Sequence, residues 1–452
     1  MDKDKLRSEG DINITGSRLD YWQSNIDDDT NELLEMDNKY FLHQSLSTPC
    51  LNVMESCKGA SITDTQGRSY LDFHGNNVHQ VGFGNEEVIR AITKQMSELP
   101  FCTRRYTNKP AIDLAKKLVE LAPGDLNRVL FAPSGALAIG MALKLARAKT
   151  GRFKTISMWD SFHGASLDAI SIGGEAIFRS EIGPLMPGTE HVPPPDSQNC
   201  PWDCAGECKL KCADYIEYVL EKEGDVAAVI AETVRSTPFI PPKEYWQKVR
   251  AACDKHGALL ILDEIPHCLG RTGAMFTVEN YGIVPDMLVI GKGLGGGIFP
   301  LAALIAREEL NVMQDRALGH YTHEKNPVAC AASLAAIRYI EDHNILEHVA
   351  QLSEYTLDGL RKLQRKYALI KDVRGIGLLI GVELADVDGK KAVDEAERIM
   401  YLALERGMNF KLTMGNILTL TPALTINKDE MDKALAILES CFDEVSEKRN
   451  RV

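Results

Sequence analysis

The chain has 452 residues, 44% hydrophobic and 25% charged, and its 51 basic and 64 acidic side chains give a net charge of −13. This suits a globular protein with one large core and a smaller companion, and an acidic chain without a basic cluster is a poor binder of nucleic acid or of an anionic membrane. The polar start MDKDKLRSEGDINI, the lack of any apolar run near the roughly 20 residues of a membrane helix, and an odd 11 cysteines that read as reduced thiols lead to the expectation of a cytoplasmic protein.

Residues 1–45 are polar and read as an N-terminal arm or helical extension, with IDDDTNE at 26–32. Residues 46–105 read as the N-terminal part of a small domain and a linker. From 106 to 330, strand-like and helix-like runs alternate. VLFAP (129–133) precedes the helical pattern SGALAIGMALKLARAK (134–149). FKTISMW (153–159), DVAAVIAE (225–232), ALLILDE (258–264) and DMLVIG (286–291) have the composition of buried parallel strands. YWQKVRAACDKHG (245–257) has helical spacing and stops at Gly257. The alternation predicts an α/β fold with a mainly parallel sheet. A helical run, NPVACAASLAAIRYIED (326–342), leads to a smaller α+β domain over 331–452, in which GIGLLIGVEL (375–384) is a strand candidate.

An insert at 196–213 contains CPWDCAGECKLKC, with Cys200, Cys204, Cys208 and Cys212 four positions apart. Tetrathiolate zinc sites pair their ligands in knuckles separated by a longer loop, which is missing here. On a continuous helix the four thiols would form a row, which cannot surround one ion. Pro201 and Gly206 break such a helix, so a structural metal, reduced thiols and a local disulfide all stay open. No catalytic metal is assigned.

Chemistry concentrates in DMLVIGKGLGGGIFP (286–300). Gly291, Gly293 and Gly296 satisfy G-x-G-x-x-G, the dinucleotide pattern of a nicotinamide-dependent dehydrogenase. That pattern should open a helix early in a βαβ unit, whereas here more glycine and Pro300 follow. Lys292, after a buried strand and among glycines, is either a solvated loop lysine or a rigidly placed, uncrowded amine of the kind that forms a Schiff base. Asp263 ends another buried strand, as a helix cap, an ion-pair partner or a ligand-facing carboxylate. Ser134, Gly135 and Ala136 lie between a strand and a helix start, where free N–H groups favour a phosphate. Phe162 and His163 follow the next strand, where an aromatic is either core or a platform for a flat cofactor.

Together these segments are similar to the class III aminotransferases, fold-type I enzymes that use pyridoxal phosphate. The resemblance covers roughly residues 45–445 and runs in the family's order: GRSYLDFHGNN (67–77), SGALAIGMALKLAR (134–147), FHG (162–164), AE (231–232), ILDEI…GRTG (261–273), GKGLGGG (291–297), THEKNP (322–327) and VRGIGLLIGVEL (373–384). It implies that Lys292 is the Schiff-base lysine and proton shuttle, and that Asp263 pairs with the pyridine nitrogen. Phe162 and Ile265 would cover the two ring faces, and Ser134, Gly135 and Ala136 would hold the phosphate. His163 and Glu232 would complete the cofactor site. Thr322 would reach the phosphate in a neighbouring subunit, which implies a homodimer.

Departures from the family bear on the substrate. Pro266 stands where a glutamine is usual, Leu137 replaces a glutamate, and Thr419 aligns with an arginine that binds a substrate carboxylate. A neutral hydroxyl cannot make that bidentate clamp. Arg104 and Arg105, in FCTRRYTNK (101–109), are either a solvated basic pair or a site for a dianion. With GHYTHEKNP and the cysteine insert, these departures resemble the branch of ammonia-lyases that act on 2-amino-1-hydroxyethylphosphonate and yield phosphonoacetaldehyde. A transaminase acting on an amine or an omega-amino acid shares the first half of that chemistry and is the alternative. A cofactor-binding protein without catalysis is the third reading.

Overall fold

The computed structural model describes residues 15–45, 47–202, 204 and 208–449. The strands run in chain order as β1 (Met54–Lys58), β2 (Ser61–Asp64), β3 (Ser69–Asp72), β4 (Leu126–Ala132), β5 (Lys154–Met158), β6 (Thr189–Val192) and β7 (Val226–Glu232). They continue as β8 (Leu259–Asp263), β9 (Met287–Ile290), β10 (Ala302–Arg307), β11 (Ile370–Ile376), β12 (Leu379–Leu384), β13 (Met408–Asn409), β14 (Lys411–Thr413) and β15 (Ile417–Leu420). The chain divides into two compact units, Glu86–Glu347 and the described residues on either side of it.

The Glu86–Glu347 unit is built on a seven-stranded sheet in the order β4-β10-β9-β8-β7-β5-β6. Every residue of β7 and of β9 is buried, as expected for strands covered on both faces. The helix Gly135–Thr150 lays Ile139, Met141, Ala142 and Leu145 onto this core. Burying side chains such as Ile230 or Leu262 stabilises by about 1.5–3 kcal/mol each. The helix Lys243–His256 stops at Gly257, whose φ of +64° suits a residue without a side chain.

β7, β8 and β9 are parallel, but β10 is antiparallel to both of its neighbours. The apolar run LAALIA (301–306), which forms most of β10, has no direction written in its sequence. The connection from β9 to β10 is too short and too rich in glycine for a crossover helix, so the chain returns antiparallel. Carboxyl ends of β4, β5, β7, β8 and β9 therefore share one sheet edge, where ligands bind in open α/β sheets.

The other unit holds two four-stranded sheets, β1-β2-β3-β13 and β11-β12-β15-β14. GIGLLIGVEL is a correction to the sequence reading: it is not one strand but part of the β11–β12 hairpin, reversing at Gly377, which has φ of +57°. The N-terminal segment contains two helices, Gly16–Asn25 and Asp28–Tyr40. Tyr21 and Leu34 are buried, which anchors them.

Among the described residues, no helix is long and apolar enough to cross a membrane. Cys212 lies in the helix Lys211–Glu223, whereas Cys200, Cys204 and Cys208 precede it, so the four thiols do not form a helical row. All four are free thiols, and burial pushes Cys212 up to about 12. Among the described residues no group of three or more His, Cys, Asp or Glu could hold a metal ion.

Candidate active site

Glu232 and Asp263 are the last residues of β7 and β8 and sit opposite each other in register. Both are buried. Oδ2 of Asp263 lies 2.8 Å from Nδ1 of His163, and its Oδ1 accepts the Ile265 N–H at 3.0 Å. Glu232 Oε2 accepts the Phe162 N–H at 3.5 Å and lies 3.5 Å from Arg235 Nε. Arg235 also pairs with Glu175, so one buried guanidinium serves two carboxylates. Burial pushes Glu232 up to about 6, and Arg235 and His163 only partly oppose it.

Lys292 opens a short 3₁₀ turn directly beyond β9, with Gly291 before it. Its φ is +47°, in the left-handed region where a residue with a side chain is strained. Strain of this kind persists where surrounding structure over-determines the backbone, often at a functional residue.

Ile265 ties this turn to the helix Gly135–Thr150. A Cβ on Gly135 would meet Ile265 Cδ1 at 2.7 Å, and one on Gly291 would meet Ile265 Cγ2 at 3.2 Å. Ser134 caps the same helix, its Oγ accepting the Leu137 N–H at 3.4 Å. Gly164, with φ of +125°, brings the FHG segment onto Ala136, where a Cβ would come within 2.6 Å of the Ala136 methyl. Ser134, Gly135, Ala136, Phe162, His163, Glu232, Asp263, Ile265 and Lys292 thus converge at the carboxyl edge of one sheet. Phe162 is partly exposed and packs at 4.5 Å on Phe178.

This arrangement fits a flat, phosphorylated, nitrogen-containing ring. The N-terminus of a long helix offers N–H groups to a phosphate. A buried carboxylate can face a ring nitrogen, and a lysine backbone is held in place beside it. Nε2 of His163 is buried without a hydrogen-bond partner among the described residues, on the side away from Asp263.

Residues that sequence reasoning left without roles support the site. Glu264 is fully buried, and its carboxylate accepts from Thr233 Oγ1 at 2.8 Å, Thr277 N at 2.6 Å and Val278 N at 2.7 Å. Burial still pushes it up to about 7. These bonds brace the turn that follows Asp263. His267, in that turn, bonds Ser236 Oγ at 3.1 Å. Burial first, then the positive charges of Lys292 and Arg271, hold His267 far below its ordinary range. The only signal in the sequence was a histidine one residue past Pro266.

The residues expected to meet substrate, Arg104, Arg105 and Thr419, and Thr322, expected to reach the partner's cofactor, are placed differently. Arg104 is engaged by His320 and lies 3.8 Å from Glu324. Arg105 is exposed and has no ion pair among the described residues. Thr322 is exposed in the turn between His320 and Glu324. Thr419 belongs to the other unit, where it is buried on β15 with its hydroxyl 2.7 Å from that of Thr413.

The family model for aminotransferase class-III matches residues 43–442. The chain belongs to the class III aminotransferase family. Within the family it is 48% identical to the (R)-1-hydroxy-2-aminoethylphosphonate ammonia-lyase of Vibrio splendidus, over 97% of this chain and 96% of that one. It is 36% identical to the leucine/methionine racemase of Thermococcus litoralis, over 92% and 96% of the two chains. A solved amine transaminase from an uncultivated Pseudomonas species, in its PLP-bound form, superimposes with a TM-score of 0.83 at 29% identity, covering 90% of this chain and 99% of that one. A lyase, a racemase and a transaminase thus share this scaffold with the chain.

Proposed function

We propose that this protein is a pyridoxal-phosphate-dependent ammonia-lyase acting on 2-amino-1-hydroxyethylphosphonate. The observation that carries the reading is the 48% identity to an ammonia-lyase of that substrate, maintained over 97% of the chain. Pyridoxal phosphate supplies an aldehyde that condenses with amines and a ring that accepts electron density from the amine-bearing carbon.

The chain's own groups would do the rest. N–H groups at Gly135 and Ala136, with Ser134, would bind the phosphate. Phe162 and Ile265 would cover the ring faces. Asp263, held by His163, would keep the ring nitrogen protonated. Lys292 would anchor the cofactor, then take the proton from the amine-bearing carbon. Loss of the neighbouring hydroxyl as water, which carries off the proton that Lys292 took, and addition of one water would then give phosphonoacetaldehyde and ammonia. The enzyme is read as a cytoplasmic homodimer in which Thr322 serves the partner's site. A dianionic substrate also accords with Thr419 in place of a carboxylate-binding arginine, and no step calls for a metal.

The second reading is an amine transaminase, favoured by the likeness to a solved amine transaminase. One experiment separates the two. The purified enzyme is incubated with 2-amino-1-hydroxyethylphosphonate and no keto acid, and ammonia and aldehyde are assayed. Repeated turnover is expected. A strict requirement for pyruvate or 2-oxoglutarate would move the protein to the transaminase reading.

A further inference from the structure

Ser236 and His267 lie on the loops that follow β7 and β8, just beyond Glu232 and Asp263. Neither has a part in the steps given to Lys292 and Asp263. His267 is fully buried, and its backbone is fixed on both sides: its N–H donates to Glu264 O at 3.0 Å, and its carbonyl accepts from Thr277 Oγ1 at 3.0 Å. Its Nε2 lies 3.1 Å from Ser236 Oγ, while its Nδ1 is buried with no hydrogen-bond partner among the described residues.

This decides where the ring proton sits. Burial and the nearby cations Lys292 and Arg271 keep the ring neutral, so it carries one proton. A buried N–H without an acceptor is the rarer defect in folded proteins. The proton therefore belongs on Nε2, which donates to Ser236 Oγ. Ser236 is only half-buried, and with Nε2 donating to its oxygen its own hydroxyl hydrogen is left to donate elsewhere. The result is a preset hydrogen-bond donor beyond the carboxyl ends of β7 and β8, on a histidine that feels the charge of Lys292.

We propose that Ser236, oriented by His267, is the specificity residue that binds the hydroxyl next to the amine-bearing carbon of the substrate. A pocket built to bond a substrate hydroxyl rejects an analogue that lacks it, because its own polar group is then left unpaired. The inference rests on the reading of a hydroxylated aminophosphonate substrate.

The test uses the cofactor-loaded enzyme and two amines, 2-amino-1-hydroxyethylphosphonate and 2-aminoethylphosphonate. Apparent binding constants for both amines are read from the absorbance of the bound cofactor, and KM and kcat for the hydroxylated amine from ammonia release. Ser236→Ala should weaken binding of the hydroxylated amine about tenfold, the loss of one hydrogen bond, and leave the other amine unchanged. Ser236→Thr, which keeps the hydroxyl, should restore the preference. His267→Phe should give the Ser236→Ala pattern with the fold intact by circular dichroism. Equal losses for both amines, or no loss for either, would overturn the proposal. If the wild-type enzyme releases no ammonia, the lyase reading fails separately. The binding constants still decide the role of Ser236: a preference for the hydroxylated amine that survives Ser236→Ala overturns it, and one lost in that variant supports it.

Discussion

Nδ1 of His163 and Oδ2 of Asp263 lie 2.8 Å apart in the interior of the large unit. The other carboxylate oxygen is held by the Ile265 N–H, so the segment after β5 and the turn after β8 fix one carboxylate from two sides. A preset anion in a water-excluded site stabilises developing charge without reorganising at the moment of reaction. Asp263→Asn keeps the shape and removes the charge. Its kcat should fall by about 10²–10³-fold, with weaker cofactor retention and unchanged secondary structure. Single-turnover absorbance kinetics check this, and a rate close to wild type would remove Asp263 from the mechanism.

Lys292→Ala should abolish covalent retention of the cofactor. Borohydride treatment followed by mass spectrometry should find none fixed to the variant, against one per chain in the wild type. Loss of proton transfer alone should lower turnover by about 10²–10⁴-fold. Cofactor still fixed to the variant would assign the anchor to another lysine.

Gly164 touches Ala136 and has φ of +125°, so it is constrained twice. Gly164→Ala should destabilise the fold by about 1–3 kcal/mol and loosen the phosphate site at the helix start. Adding Ala136→Gly should recover only part of the steric cost, since Ala136 Cα at 3.0 Å and Ala169 Cβ at 3.3 Å stay close, and leave the backbone part. Thermal unfolding and cofactor titration of the single and double variants separate the two, and a single variant as stable as wild type contradicts the close approach.

Glu232 sets a pH dependence with a definite sign. Burial raises it from 4.5 to about 6, so the folded chain holds this proton more tightly than the unfolded one. Its contribution to stability is complete below pH 4.5 and is lost as pH rises through about 6. The loss amounts to about 2 kcal/mol. Glu232→Gln should remove that part of the slope. Urea unfolding of both proteins between pH 4 and 7 tests it, and parallel curves would rule out Glu232 as the titrating group.

Arg104 already has Glu324 and His320 as partners, whereas Arg105 is exposed and has no ion pair among the described residues. Arg105→Ala should therefore raise KM for a phosphonate substrate more than Arg104→Ala, by about tenfold or more if it binds the dianion. An uncharged amine should respond little to either. Equal changes for both substrates would return Arg105 to the role of a surface charge.

Local chemistry was legible in the residues themselves. Runs such as DVAAVIAE and DMLVIG declared buried strands, because a strand covered on both faces must be apolar along its length. Ser134 before a helical pattern and Lys292 among glycines marked positions where backbone conformation constrains the residue type. The direction of β10 and the reversal at Gly377 were not legible. Strand pairing is a choice among distant partners that a linear apolar pattern does not encode.

Amino-acid order by itself determined the strands β4, β5, β7, β8 and β9 and the residues able to carry the chemistry, because these depend on neighbours a few positions away. Tertiary structure alone decided the partnerships. His163 meets Asp263 across a separation of 100 residues, and Ser236 meets His267 across 31. Arg104 is drawn to His320 across 216. Hydrogen bonds, burial and the protonation of Glu232 and His267 are properties of a folded neighbourhood, where distant segments exclude water from one another, and no local pattern specifies which segments those are.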